Sequence, residues 1–383
     1  MKKILILIDS LAGGGAEKVL YTFLKKWDKN KYQFTIVPIV DTGIYANKVR
    51  SIPNINYYPI ITNKNKNKLK QIWNAIIYKL IYYYLPIQLV YKFFIPKNND
   101  IEIAFCEGYV TKLLSYSTNT KALKYAWVHT DLVSNNWPLK NGIYQSLLDT
   151  TSIYKKFHTV IGVSKSVCNG LQDKYKLDNV QCVYNPIDTI EILSHCNDNT
   201  ITKDKKYIHI ITVGRLTYIK GFDRLLWAIH QLILQNSIPF KLQIIGDGEE
   251  KNQLQKLIKE LKLENYVDLL GFKENPYIHM SMADLFICSS RDEGFSLAIS
   301  EAMIIGLPII STNCSGPKEL LDNGEYGILV NNSKEGILEG LTKIMGNNSL
   351  IKHFQNKSLN RSQIFNLKNI LQQTYFLFDH DKQ

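Results

Sequence analysis

Four side chains have types and spacings that could do chemistry: Arg215 and Lys220, five positions apart, as grips for a diphosphate, and Glu293 and Glu301, eight apart, as paired carboxylates. The cations lie in Gly214-Arg215-Leu-Thr-Tyr-Ile-Lys220-Gly221, between an apolar run at 208–213 and the helically spaced Phe222, Leu225, Leu226 and Ile229. An arginine fork and a lysine point charge in a strand-to-helix loop can grip two phosphates, although two solvated loop cations would look the same. Glu293 precedes Gly294, Phe295, Ser296 and Leu297, where a charged loop becomes a helix that stops at Gly306 and Pro308. Glu301 projects from that helix about two turns later. The backbone N–H groups and positive dipole end of such a helix meet an anion or a developing negative charge. Two carboxylates near one such point also suit the acid and base of a glycosidase.

These loops need strands to hold them. Residues 1–8 read as a buried strand, because Asp9 and the glycines cut the apolar run too short for a secretory leader. Gly13, Gly14 and Gly15 then lead into Val19, Leu20, Phe23 and Leu24 at helical spacing. Backbone amides there can approach a phosphate or sugar closely, and a tight turn without a ligand fits the residues equally well. Further strands are expected at 33–40, 101–105, 124–131 with a polar end, 160–164, 208–213, 242–246, 267–272, 283–289, 309–312 and 326–330, with helical periodicity between them. That alternation implies parallel α/β sheets. His129 stands where the 124–128 run ends, a place where α/β folds put binding groups, though a core or surface histidine fits too.

A chain of 383 residues is long for one core and suits two domains, 1–188 and 189–383, with the polar stretch 188–206 as the linker. A last helix, about 363–380, is long enough to cross back to the first domain. The formal charge of +12 implies an anionic partner: nucleic acid, a membrane surface or a phosphorylated small molecule. No nucleic-acid motif accompanies the charge, so no nucleic-acid partner is expected. Cys106, Cys168, Cys182, Cys196, Cys288 and Cys314 show no metal-ligand spacing and read as the reduced thiols of a cytosolic protein. Between 62 and 97 there is no acidic residue; Lys64, Lys66, Lys68 and Lys70 precede Leu69, Ile72, Trp73, Ile76, Ile77, Leu80, Ile81 and Tyr84 at helical spacing. Pro86 and the polar residues argue against a bilayer span. The segment suits a membrane interface, or a helix packed on its own sheet with a lysine-rich outer face.

The motifs together resemble the retaining GT-B glycosyltransferases of family 4, the glycosyl transferases group 1, of the bacterial surface-polysaccharide type. The resemblance rests on Gly13-Gly14-Gly15-Ala16-Glu17, Trp127-Val-His129-Thr, Tyr184-Asn185-Pro186-Ile-Asp188, Gly214-Arg215-Leu, Lys220-Gly221, Ile245-Gly246-Asp247-Gly248, Gly271-Phe272 to Asn275-Pro276-Tyr277, and Glu293 with Glu301, in that order along nearly the whole chain. It implies two facing Rossmann-like domains with a cleft between them, and transfer of a hexose or N-acetylhexosamine from a nucleotide diphosphate sugar, uridine in preference to guanosine. Arg215 and Lys220 would hold the diphosphate, with Gly214 in their loop. Glu293 would face the donor sugar and Glu301 the ribose, with the amides of Gly294, Phe295, Ser296 and Leu297 assisting. Gly13, Gly14 and Gly15 would close over the phosphates, His129 would reach the donor sugar or the acceptor, and the base would lie near Phe272. No metal or other cofactor is expected, because no Asp-x-Asp stands at a suitable strand end. The acceptor implied is a polyprenyl-diphosphate-linked saccharide, met at the cytoplasmic face of the membrane through 62–97. A catalytically silent nucleotide-binding scaffold and a related phosphorylase are the competing readings.

Overall fold

Ile4 to Ile8 are all buried in the computed structural model, as a continuous apolar strand must be in a parallel sheet covered on both faces. The structure describes residues 1–62, 68–196, 203–235 and 238–380. They form two compact units, Met1–Pro186 with Lys368–Gln383, and Ile187–Leu367. In the first unit the strands are β1 (Lys2–Ile8), β2 (Tyr32–Pro38), β3 (Val40–Asp41), β4 (Ile55–Tyr57), β5 (Ile61–Thr62), β6 (Ile101–Ala104), β7 (Leu123–Val128), β8 (Thr159–Gly162) and β9 (Val180–Cys182). Seven of them form a parallel sheet in the order β4-β2-β1-β6-β7-β8-β9, while β3 and β5 pair separately. The order turns back between β1 and β6, so the chain leaving those two strands opens a crevice at their carboxyl ends.

The second unit repeats the plan. Its strands are β10 (Ile208–Val213), β11 (Phe240–Ile245), β12 (Val267–Gly271), β13 (Leu285–Cys288), β14 (Ile309–Thr312) and β15 (Ile328–Val330), all parallel in the order β12-β11-β10-β13-β14-β15. Here the switch point lies between β10 and β13. Helix Phe222–Leu234 covers one face through Phe222, Leu225, Leu226 and Ile229 in a single apolar cluster with Ile210, Leu242 and Ile244. The polar stretch that begins at Asp188 opens as helix Thr189–Ser194, since the Asp188 carboxylate caps it by accepting from the Glu191 N–H at 3.1 Å. Residues 197–202 of that stretch lie outside the described residues.

Helix Leu367–His380 belongs to the first unit. Phe378, fully buried, meets the rings of Trp27, Tyr32 and Tyr125, and Asp379 pairs with Lys2 at 3.3 Å and with Lys31.

The 62–97 segment differs from the single helix face expected from its spacing. Helix Lys68–Lys79 passes into one π-helical turn, Leu80–Tyr84, and helix Ile87–Phe94 follows Pro86. The extra residue of the π turn shifts the phase. Ile81 is buried, while Ile72, Trp73, Ile76, Leu80, Tyr83, Tyr84 and Phe93 are exposed, with Tyr83 at 73% and Tyr84 at 74%. Lys64 and Lys66 lie outside the described residues, as do the side chains of Lys68 and Lys70. Among the described residues no helix is long and apolar enough to cross a membrane.

Candidate active site

Lys220 and Glu293 are 73 residues apart in the chain, yet the Lys220 Nζ donates to Glu293 Oε2 at 2.6 Å. The topology brings them together: Lys220 follows β10 and Glu293 follows β13, the two strands that flank the switch point. The loop after β10 is held from both sides. Leu216, fully buried, donates its N–H to the Asp247 carbonyl at 2.9 Å and accepts from the Glu250 N–H at 3.0 Å. A Cβ on Gly246 would lie 1.8 Å from the Gly214 carbonyl oxygen, and one on Gly248 2.4 Å from that of Leu216, so glycine is required for this close approach.

The 3-10 turn Tyr218–Lys220 then leads through Gly221 into helix Phe222–Leu234. Ser289 Oγ donates to the Lys220 carbonyl at 2.8 Å, and Arg291 donates to the carbonyls of Ile219 and Tyr218 at 2.7 and 2.6 Å. Arg291 also forms a two-pronged pair with Asp223 at 2.8 and 2.6 Å. The lysine loop and the glutamate loop are thus one fastened piece. Gly221 has φ +64, and a Cβ there would lie 2.2 Å from the Ser289 carbonyl oxygen. Gly221→Ala is therefore expected to lower thermal stability by roughly 2 kcal/mol or more and to depress turnover with it. Differential scanning calorimetry and steady-state rates check both.

Burial works against the Lys220 ammonium, but the neighbouring Glu293 carboxylate outweighs it and holds the pKa above the ordinary lysine value, while Arg215 is close enough to oppose this. Lys220 is thus a cation at neutral pH. Arg215 itself is exposed at the start of the same loop. The structure therefore groups Arg215, Lys220 and Glu293, with Gly214 beside the Lys220 stem: a Cβ on Gly214 would meet Lys220 Cδ and Cε at 3.7 Å.

On the glutamate side, the Glu293 carbonyl accepts from the Gly316 N–H at 2.9 Å and from Ser315 Oγ at 3.0 Å. Helix Leu297–Ile305 begins at Ser296, whose Oγ accepts from the Ile299 N–H at 3.3 Å and fixes the helix end. Gly294, Phe295 and Ser296 are buried and Leu297 is the first helical residue. Glu301, buried on that helix, lies 3.4 Å from Tyr277 Oη. The two glutamates therefore have different partners, a lysine and a tyrosine. Phe272 follows β12 and is 51% exposed. Sequence reading missed Ser289, Arg291, Asp223 and Ser315, because their partners come from other loops and no local spacing marks them.

In the first unit, Gly14 is the N-cap of helix Gly15–Lys26 and has no side chain to occupy the leading N–H groups. Gly13, at φ +114, sets the turn before it. His129 follows β7; burial pulls its pKa down to about 3, so the ring is neutral, and its Nε2 has no hydrogen-bond partner among the described residues. A residue without any sequence signal fixes it: Glu107, beyond β6, accepts from the His129 and Thr130 N–H groups and from Thr130 Oγ1 at 3.1 Å.

Asp9, at the end of β1, accepts from Tyr82 Oη at 3.2 Å. Burial, followed by the nearby carboxylates Glu107 and Glu17, raises its pKa to about 7, against the opposing Tyr82 bond. A carboxyl whose folded pKa lies above its unfolded value contributes stability at low pH that is lost as pH rises through the folded value. Asp9→Asn should therefore be neutral at pH 4 and stabilising above pH 7, by at most about 1.4 kcal/mol for each pH unit that separates the folded and unfolded values. Chemical denaturation across that range measures it.

Chemically, the second unit offers two cations, a carboxylate paired with one of them and a helix N-terminus at one switch point, an arrangement that can hold a phosphorylated ligand. The chain is also similar to known proteins over nearly its whole length. The family model for glycosyl transferases group 1 matches residues 197–361. An N-acetylgalactosamine-N,N'-diacetylbacillosaminyl-diphospho-undecaprenol 4-alpha-N-acetylgalactosaminyltransferase of Campylobacter jejuni is 30% identical over 375 residues, 95% of this chain and 96% of that protein. Among solved structures, Anabaena Alr3699/HepE in complex with UDP and glucose superposes with a TM-score of 0.76, covering 99% of this chain and 100% of that one at 20% identity. TarM of Staphylococcus aureus, in complex with Fondaparinux, alpha-GlcNAc-glycerol and UDP, gives 0.72 at 15% identity over 99% and 100%. A shared fold at full length and a 30%-identical relative over nearly the whole sequence place the chain in one family: it is a GT-B glycosyltransferase of the glycosyl transferases group 1.

Proposed function

We propose that this glycosyltransferase moves a hexose or N-acetylhexosamine from a uridine diphosphate sugar to a saccharide carried on a polyprenyl diphosphate, with retention of anomeric configuration and without a metal. The observation that carries this reading is the Lys220–Glu293 pair at the switch point of the second sheet, with Arg215 in the same loop. Cleaving the bond between the anomeric carbon and the phosphate oxygen leaves an oxocarbenium-like sugar and a diphosphate with growing negative charge. Fixed cations at the diphosphate stabilise that charge without reorganising. Arg215 and Lys220 take that role, and Glu293 orients the donor sugar. Glu301, held by Tyr277, takes the ribose. The amides of Gly294, Phe295, Ser296 and Leu297, together with Gly13, Gly14 and Gly15, receive phosphate and sugar oxygens. The neutral His129, with one ring nitrogen unpaired among the described residues, bonds a sugar hydroxyl. The leaving phosphate oxygen accepts the acceptor's proton on the same face, so the new bond retains the donor's configuration. Phe272, exposed beyond β12, lies beside the base.

The acceptor assignment draws on the C. jejuni relative, whose name specifies a diphospho-undecaprenol-linked saccharide. It draws also on the exposed face of Ile72, Trp73, Ile76, Tyr83, Tyr84 and Phe93 in a segment with seven lysines and no acid between 62 and 97. An amphipathic, cationic and aromatic face of this kind suits peripheral docking on the anionic inner face of the cell membrane. Replacing Lys68, Lys70, Lys79 and Lys92 by glutamine should cut sedimentation with phosphatidylglycerol vesicles by an order of magnitude or more, at about 1 kcal/mol per lysine. Unchanged sedimentation would remove the docking part of this reading. A mass-spectrometric screen of nucleotide sugars against a polyprenyl-diphosphate-linked saccharide tests the transfer itself, and phosphate-dependent cleavage in place of transfer would indicate a phosphorylase.

A further inference from the structure

The π-helical turn Leu80–Tyr84 joins an outward feature to an inward one. Outward, Tyr83 and Tyr84 are nearly three-quarters exposed and extend the aromatic face begun by Ile72, Trp73 and Ile76. Inward, Ile81 is buried and its carbonyl accepts from Tyr109 Oη at 2.7 Å. Tyr82, between them, also turns inward. Its ring packs between those of Tyr78 and Tyr109, with centroids at 4.4 and 4.2 Å, and its hydroxyl reaches Asp9 Oδ1. At roughly 100° per residue Tyr83 returns to the side of Ile72 and Ile76 while Tyr82 points away from it, so neighbouring tyrosines face opposite ways.

Asp9 is the first residue after β1, at the switch point of the first sheet, and it opens the loop that carries Gly13, Gly14 and Gly15. The backbone of that loop is tied to the chain after β2: Val40 donates its N–H to the Asp9 carbonyl at 3.0 Å, and the Leu11 N–H donates to the Thr42 carbonyl at 3.1 Å. Tyr82 is the side chain that reaches it from the docking segment. The groups facing Asp9 are Tyr82 from the π turn, Glu17 from helix Gly15–Lys26 and Glu107 from beyond β6, and its charge is also felt at Cys106, Tyr78 and Tyr109. Among the described residues these groups include no cation, and the Tyr82 hydroxyl donates to the carboxyl.

We propose that Tyr82 and Asp9 are a positioning pair that ties docking of the aromatic face on an anionic lipid surface to the ordering of the glycine loop for transfer. This coupling rests on the docking reading above and adds a route from that face to the site. Burying the outer face at a lipid headgroup layer restrains the π turn, the restrained turn holds Tyr82 against Asp9, and the held Asp9 fixes the first residue of the loop. The Tyr82 hydroxyl donates to the Asp9 carboxyl, a bond that favours the carboxylate against burial and the repulsion of Glu107 and Glu17.

Hydrogen exchange of the backbone across residues 9–16, measured on the full chain with and without vesicles of phosphatidylglycerol and phosphatidylethanolamine, tests this without knowledge of the substrates. The wild type should sediment with the vesicles and exchange there roughly threefold to tenfold more slowly when bound, the factor one net hydrogen bond supplies. Tyr82→Phe keeps the stacked ring and removes only the hydroxyl; it should sediment as well as the wild type and lose the vesicle-induced slowing. Asp9→Ala, which breaks the pair from the other end, should do the same. Equal slowing in Tyr82→Phe and the wild type, or none in docked wild type, overturns the pair while leaving the docking reading intact. A wild type that does not sediment overturns the docking reading, and the coupling falls with it.

Discussion

Lys220→Ala should reduce turnover by about a hundredfold to a thousandfold, the loss found when one preorganised donor to a developing anion is removed. The size of the effect follows from where the ammonium is held. Its backbone is fixed by Ser289, its turn by Arg291, and its charge is maintained above the ordinary lysine value by Glu293 despite burial. A cation restrained in this way loses little freedom when the diphosphate arrives, and a solvent cation drawn into its place would have to be ordered first. Because the proposed mechanism has the two cations share one diphosphate, Arg215→Ala should show a loss of the same order, and the double variant should lose less than the product of the two. Pre-steady-state rates with saturating donor separate this from a binding defect, and full activity in either variant would sink the diphosphate assignment.

Glu293→Gln should abolish transfer, by at least about a hundredfold, while nucleotide diphosphate affinity stays the same or rises. The second half of that expectation comes from the ion pair. Glu293 holds the ammonium that the proposed mechanism gives to the donor diphosphate, so neutralising the carboxylate should free Lys220 for the ligand. The cost appears elsewhere: Lys220 loses the anion that keeps its partly buried charge, and its pKa should fall. Titration calorimetry with uridine diphosphate and a transfer assay on the same preparation measure both halves. Weaker nucleotide binding with intact transfer would exchange the roles given to Glu293 and Glu301.

Much of the fold is legible in the residues. The apolar runs that form β1, β10 and β13 are continuous because parallel strands are buried on both faces, and Gly13, Gly246 and Gly248 announce turns that side chains would strain or block. Arg215, Lys220 and Glu293 can be named from their loops. Their convergence cannot, since it depends on β10 lying beside β13 and not beside β12, a long-range choice that no local period encodes. The same holds for Glu107, whose partners at His129 and Thr130 come from the neighbouring strand's loop. The 69–84 spacing reads as one helix face, and the structure departs from it at Ile81, which is buried, and at Tyr83, which is exposed beside Tyr84. Ile81 lies at the edge of that face, and spacing alone does not say which edge the rest of the unit covers. The helix expected near 363–380 starts at Leu367, because Phe365 is buried ahead of it and Ile364 is left exposed.

At the centre of the proposed mechanism, charge placed at a leaving diphosphate performs the transfer without a metal and without a glutamate acting as base. The measurement that tests it most directly is the transfer of sugar from a uridine diphosphate sugar to a polyprenyl-diphosphate-linked saccharide in excess chelator, with the anomeric configuration of the product read by nuclear magnetic resonance. The expected result is an undiminished rate and a new linkage of the donor's own configuration. Transfer abolished by the chelator and restored by a divalent cation, or a product of inverted configuration, would contradict it.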